Sequence, residues 1–281
     1  MPLLDCNGKF LALGQAQVMG ILNITPDSFS DGGIFLSPEK ALARAKEMVE
    51  EGAAIIDVGG ESTRPGATPV SLEDELSRVI PVIQALTAEL AIPVSVDTSK
   101  PEVMQAAVTV GAGMINDVRA LRVEGALQMA AKLNRQASIP LCLMHMQGEP
   151  PVMQQYPQYQ DVVSEVKKFL TERIEACVNV GIPRERLLID PGFGFGKSLE
   201  HNLDLLRNLS VLADLQVPML VGLSRKGMIS ALLDVPVEQR LYGSLALATI
   251  AVWQGAVIVR AHDVRATVEA VKLCSIVKQS D

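Results

Sequence analysis

The chain has 281 residues, a formal net charge of −7, 48% apolar residues and only 4% aromatic ones. An acidic chain is poorly matched to nucleic acid or an anionic membrane surface. With so few aromatics its core must be built from Ala, Val, Ile and Leu, which suits parallel strands buried under helices. No apolar run reaches the roughly 18 residues of a membrane-spanning helix. The opening MPLLDCNGKFLALG has neither a basic start nor an unbroken apolar run, so it does not read as a signal peptide. Cys6, Cys142, Cys177 and Cys274 match no zinc or redox spacing. The expectation is a cytoplasmic protein whose thiols are reduced and packed.

Residues 1–14 read as an N-terminal extension, with 2–13 forming a small hairpin that plugs one end of the fold. Short apolar runs ending in polar residues then follow in order: VMGILN, AIIDVGG, IPVSVD, GMINDV, PLCLMH, LLID, PMLVGLS and AVIVRAH. From Asn23 to His262 these eight runs recur about every 34 residues, close to the length of a βα unit. Helical segments lie between most of them. Ser37-Pro38 reads as an N-cap and first helical position, opening a helix to about Glu51. Ser71-Leu72-Glu73-Asp74 resembles a capping box before LSRVIPVIQAL, and Pro101 opens EVMQAAVTV. Residues 158–180, 239–254 and 263–278 carry apolar residues at helical spacing. Gly52, Gly111, Gly181 and Gly255 stop helices directly before strands. Eight alternating units favour a closed (β/α)8 TIM barrel, a single α/β domain spanning 1–281, over an open doubly wound sheet.

Such barrels carry their active sites at the C-terminal ends of the strands. In chain order those ends supply Asn23, Asp57, Asp97, Asn116 with Asp117, His145, Asp190, Ser224-Arg225-Lys226, and Arg260 with His262. Each residue alone could be a turn former or a rim contact; eight converging ends argue for a ligand site. The stretch PGFGFGKS (191–198) resembles a phosphate-cradling P-loop, but the position that needs the first glycine is Pro191, which has no N–H to offer. Its informative residue is Asp190. The glycines are expected to let backbone, Phe193 and Phe195 approach a ligand, and Lys197-Ser198 to start the next helix. Buried carboxylates such as Asp97 and Asp190 need donors. A flat heterocycle with an amino group and a ring N–H supplies two parallel ones. Asn116 suits a mixed edge and Lys226 a ring carbonyl or nitrogen, so a pterin or guanine-like ring fits better than a sugar. The stretches NITPDSFSDGGIF and GGESTRPGATPV read as lids. Arg64 with Arg260 and His262 forms a cationic set for an anionic group. Met144-His145-Met146 looks like a metal site and is read as pocket wall.

Taken together, MGILNITPDSFSDGG, IIDVGGESTRPGA, SVDTSK, INDV, LMHMQG, IDPGFGFGK with EHN, VGLSRK and GAVIVRAHDV resemble the dihydropteroate synthase family of pterin-binding barrels. The resemblance runs from about Met19 to the last helix. It implies an Mg2+-dependent transferase of folate biosynthesis, the family that sulfonamides target, acting on a dihydropterin methyl diphosphate and 4-aminobenzoate. By the same resemblance, Asp97, Asn116, Asp190 and Lys226 would hold the pterin, and Asn23, Arg64, Arg260 and His262 the diphosphate, with Asn23 also at the metal. Phe29, Thr63, Pro65, Lys226 and Gly227 would shape the aminobenzoate pocket, with Asp31 in the first lid. Asp97, Lys226, Arg260 and His262 would carry the catalysis. A homodimer through the late helices is implied as well. The sequence departs from the family at Ala54, where an acidic residue is common, and at Gly227, where serine is common. The alternatives are a pterin-dependent methyltransferase, a Schiff-base aldolase using Lys226, and a non-catalytic pterin-binding protein.

Overall fold

The computed structural model describes residues 3–25, 37–62, 66–148 and 153–278. Eight parallel strands, β3 (Gln17–Asn23), β4 (Ile55–Gly59), β5 (Val94–Asp97), β6 (Met114–Asp117), β7 (Leu141–Met144), β8 (Leu187–Asp190), β9 (Leu220–Val221) and β10 (Ile258–Ala261), form one sheet in the order β8-β7-β6-β5-β4-β3-β10-β9. A single parallel bridge, Ile189 to Met219, joins the two edges and completes a TIM barrel. All eight expected strands are present.

The helices are α1 (Pro38–Glu50), α2 (Leu72–Glu89), α3 (Pro101–Thr109), α4 (Ala126–Gln136), α5 (Val162–Asn179), α6 (Leu199–Arg207), α7 (Gly227–Leu233), α8 (Leu241–Trp253) and α9 (Val264–Lys278). Ser37 caps α1, accepting a hydrogen bond from Lys40 N, and Pro38 takes its first turn, where a missing N–H costs nothing. The capping box expected at Ser71 is only half formed. Ser71 Oγ accepts from Asp74 N, but the Asp74 carboxylate accepts from the Ser71 hydroxyl instead of its backbone N–H. The reciprocal version opens α6, between Ser198 and His201. Sequence inspection passed over it because histidine is not the usual third-position partner. Helix α4, with Gly125 in the left-handed region at its N-cap, also lacked a recognisable start signal.

Alternation along each strand sorts its side chains. Ile56, Val58, Val94 and Val96 face the helices and join the outer core, while Met19, Ile55, Met114, Cys142, Leu188, Leu220 and Ile258 fill the lower barrel. The N-terminal hairpin, β1 (Leu3–Cys6) and β2 (Lys9–Ala12), turns at Asn7-Gly8 and closes this lower end with Leu4, Cys6 and Leu11. The fit is close: a Cβ on Gly113 would lie 2.4 Å from the Cys6 carbonyl oxygen. All four cysteines are buried free thiols. Among the described residues, no helix is long and apolar enough to cross a membrane.

Candidate active site

One step up the same strands the interior turns polar. The in-register pairs Asp57 with Ser95, Gly59 with Asp97, and Asp97 with Asn116 place these residues side by side inside the upper barrel. Arg260, on β10, reaches across to them. Its Nε donates to Asp57 Oδ2 at 2.6 Å and an Nη donates to Asp97 Oδ2 at 2.9 Å. Asn116 Nδ2 donates to the same Asp57 oxygen at 3.0 Å, which turns the Asn116 amide oxygen away from Asp57. Asp57 is thus the hub joining Arg260 to Asn116. Sequence reading placed it at a strand end but gave it no role. The missing signal was a contact across 203 positions of chain, which no local pattern reports. Asp57 Oδ1 and the neighbouring Ser95 Oγ are buried and have no hydrogen-bond partner among the described residues.

Burial pushes the Asp97 carboxyl up to about 7 against the pull of Arg260, with Asp57 adding to the rise. Burial also raises Asp190, on the opposite side of the mouth, although the backbone N–H of Gly192 donates to its Oδ1 at 2.7 Å and lowers it. Lys226 lies just beyond β9, its ammonium 4.2 Å above the Phe195 ring. Burial lowers its amine to about 8, with Asp190 opposing and Arg260 reinforcing the drop. The neighbouring Arg225 is turned away and grips Asp263 through a two-pronged fork at 3.0 and 2.6 Å. It therefore does not depress Lys226, and the aldolase reading loses its activating neighbour.

His262 and Ser224 meet at the end of β10. Ser224 Oγ accepts from the His262 backbone N–H and lies 3.0 Å from Nδ1, to which its hydroxyl can donate. That pairing orients the ring; with the Ser224 hydroxyl donating to Nδ1, the proton of a neutral imidazole sits on Nε2. Asn23 ends β3; its Oδ1 lies 3.6 Å, and Asp97 Oδ2 3.7 Å, from the point where Gly59 would carry a Cβ. Gly227 opens α7 and a side chain there would meet nothing within 4 Å, so the departure from serine leaves open space. Phe29, Asp31, Thr63, Arg64 and Pro65 lie outside the described residues.

Two expectations need correction. Phe193 is not near a ligand: it is almost fully buried in the outer core, and only Phe195 faces Lys226. His145 is not a bare wall residue, since its Nδ1 lies 2.9 Å from Lys197 Nζ; Met144 and Met146 do form an apolar wall, packed with Phe195. Asp117 serves the fold. Its carboxylate accepts from Ser99 Oγ and from the backbone N–H groups of Arg119 and Leu121, tying down the turn after β6. The glycine loop is no phosphate cradle either. The N–H groups of Gly192, Gly194 and Phe195 are spent on Asp190, Asn202 and the Gly192 carbonyl.

A barrel mouth with acidic and amide groups on one side, Asp190 with a lysine on the other and an Arg/His corner between is the layout of a pterin-binding enzyme. Residues 19–262 match the model of that family, described as pterin binding enzyme, and the chain belongs to it. Its relatives there are dihydropteroate synthases. That of Escherichia coli K12 is 53% identical over 270 residues, covering 96% of this chain and 94% of that one. The Yersinia pestis enzyme, solved with a sulfonamide drug complex, superposes with a TM-score of 0.94 at 49% identity, covering 99% of this chain and 100% of that one. The Xanthomonas albilineans enzyme, solved with 4-aminobenzoic acid, gives 0.92 at 53%, covering 100% and 99%.

Proposed function

We propose that this protein condenses (7,8-dihydropterin-6-yl)methyl diphosphate with 4-aminobenzoate, giving 7,8-dihydropteroate and diphosphate, as a step of folate biosynthesis. The observation that carries this reading is the gathering of Asp97, Asn116, Asp190, Lys226 and Arg260 at one barrel mouth, in a chain 53% identical to a dihydropteroate synthase. Asp190 holds the amino and ring N–H edge of the pterin with parallel hydrogen bonds. Asn116, its amide oriented by Asp57, takes the mixed edge. Lys226 donates to a ring carbonyl or nitrogen. Arg260 spends two of its five N–H donors on Asp57 and Asp97 and keeps the others, with His262 and Arg64, for the diphosphate.

In the reaction the bond between the exocyclic methylene and the diphosphate oxygen breaks, and its electron pair leaves with the diphosphate. The arylamine nitrogen then bonds to the methylene and loses a proton. An arylamine is already neutral at pH 7 and needs no strong base, so catalysis rests on positioning and electrostatics. Asp97 stabilises the positive charge that develops on the pterin as the diphosphate departs. Arg260 and His262 stabilise the leaving anion. By the family resemblance Phe29, Thr63, Pro65, Lys226 and Gly227 are assigned to the aminobenzoate, and Asp31 to the first lid.

The residues present fit Mg2+. Asn23 brings an amide oxygen to the end of β3, and Mg2+ takes a few protein oxygens together with substrate phosphates. Bound there, it would supply charge neutralisation to the diphosphate. Asn23 would be its protein ligand. The functional unit is a homodimer acting in the cytoplasm. Support for the dimer comes from the apolar residues exposed on α8 and α9: Tyr242, Ile250, Trp253, Leu273 and Ile276.

The test is diphosphate release from the dihydropterin methyl diphosphate with and without 4-aminobenzoate and Mg2+. Release that depends on the amine, yields dihydropteroate and is inhibited by a sulfonamide is the expected result. Pterin binding without release under any condition would defeat the synthase reading in favour of a non-catalytic binder. Methyl transfer in place of condensation would put the chain among pterin-dependent methyltransferases.

A further inference from the structure

We propose that Lys197 is a positioning residue for the pterin subsite: its buried ammonium locks the 191–197 loop so that Phe195 is held beneath the Lys226 ammonium. The inference rests on the assignment of Asp190 and Lys226 to the pterin.

Lys197 is only 2% exposed, in a class of residue almost never buried unless paired. Among the described residues no carboxylate pairs with it. Its Nζ lies 2.9 Å from His145 Nδ1, 2.9 Å from the Gly192 carbonyl oxygen and 3.1 Å from that of Phe195, with the His145 carbonyl oxygen more distant at 3.5 Å. An ammonium group has three N–H donors and no acceptor, so the three shorter contacts can use it fully, with His145 Nδ1 as an acceptor. His145 is accordingly neutral, its pKa driven down to about 2 by burial and then by Lys197. The three acceptors belong to different parts of the site: the end of β7, the turn after Asp190 and the residue bearing the ring under Lys226. Without the ammonium the Phe195 carbonyl oxygen and the His145 ring nitrogen would lose this donor, and the Gly192 carbonyl would keep only the Phe195 N–H.

The backbone leaves no slack for such a change. A Cβ on Gly192 would lie 1.9 Å from the His145 carbonyl oxygen, and one on Gly196 2.2 Å from that of Gln147. The loop is pressed onto the strand end, and Lys197 is the pin. The Phe195 ring then sets where Lys226 rests, through the 4.2 Å contact between ammonium and ring. Burial lowers the Lys197 amine to about 7, with Asp190 opposing. Burial thus works against the charged form that makes these contacts, as expected of a group kept for geometry instead of stability.

The experiment is a double-mutant cycle on the full chain, reading the Kd of the dihydropterin methyl diphosphate by calorimetry without 4-aminobenzoate. Lys197→Met keeps the chain length and removes the donors; Phe195→Leu removes the ring. Each variant is expected to keep a cooperative thermal transition and to weaken binding by about tenfold or more, the scale of a misplaced contact. The double variant should be no weaker than the poorer single one. A folded Lys197→Met protein that binds within about twofold of the wild type overturns the inference, as do single losses that simply multiply. A general loosening of the fold would produce that multiplication. If Lys197→Met does not fold, Lys197→Gln, which retains two donors, is read the same way. If neither folds, Lys197 is a folding determinant and the positioning role is refuted. A wild type that fails to bind sinks the pterin reading itself and takes this inference with it.

Discussion

The lower and upper halves of the barrel are built from the same strands, two residues apart, yet they obey opposite rules. Below, Met19, Ile55, Met114 and Leu188 interdigitate with the hairpin residues Leu4, Cys6 and Leu11, and every buried side chain in that cluster is apolar. Above, Asp57, Asp97, Asn116 and Asp190 occupy the equivalent interior positions, and two buried oxygens there, Asp57 Oδ1 and Ser95 Oγ, have no hydrogen-bond partner among the described residues. Stability is concentrated at one end of the strands, which lets the other carry groups that burial disfavours.

The largest expected effect breaks the upper half alone. Asp97→Asn should lower kcat/KM by about 10²–10³-fold, the scale of a lost electrostatic contact to the transition state. Its effect on stability has the opposite sign. The folded-state pKa, about 7, lies above the ordinary 3.8. Between those values the folded protein holds a proton that the unfolded chain has released, so the Asp97 contribution falls as pH rises through that window. At pH 8 the ionised carboxylate is a net cost, and Asp97→Asn should raise Tm by a few degrees while destroying activity. A variant both inactive and less stable at pH 8 would break the comparison.

The same group sharpens it through pH. If ionised Asp97 is the active form, as proposed, kcat/KM of the wild type should fall about tenfold per unit below an apparent pKa near 7. A profile flat down to pH 5 would remove Asp97 from the chemistry. In the lower half the effect should be on stability only. Leu11→Ala cuts into the plug and should cost about 2–5 kcal/mol, or roughly 5–15 °C in Tm, with kcat/KM within about twofold of the wild type. The smallest effect is expected from Gly227→Ser at the rim. The added side chain enters open space, so Tm should hold and the KM for 4-aminobenzoate should fall by no more than about threefold, the scale of one hydrogen bond.

Much of this was legible in the sequence because it is local. The eight strands and the Pro38 and Pro101 helix starts follow from short apolar runs and fixed φ, and the sequence places a hairpin within 2–13, though not its turn at Asn7-Gly8. Strand ends also named most of the residues at the mouth, since alternation decides which side chains point inward. The contacts across the barrel were not legible. Asp57 as hub between Arg260 and Asn116, Arg225 turned to Asp263, and Lys197 folded back on His145 each join residues distant in sequence. Phe193 and Phe195 look interchangeable in PGFGFGKS, yet one is core and the other faces Lys226, because Gly192, Gly194 and Gly196 at positive φ break the period-two pattern that would put both rings on one face.

The barrel is closed between β8 and β9 by a single bridge, beside a strand only two residues long. Asp190 and Lys226 sit on either side of that seam. A cylinder fastened so lightly at one line deforms there before anywhere else, much as a split ring opens at its gap. Small changes in ring width along this line alter the separation of the two groups without disturbing the other seven strand pairs. The lightest closure of the barrel thus lies between Asp190 and Lys226, the two residues assigned above to the pterin.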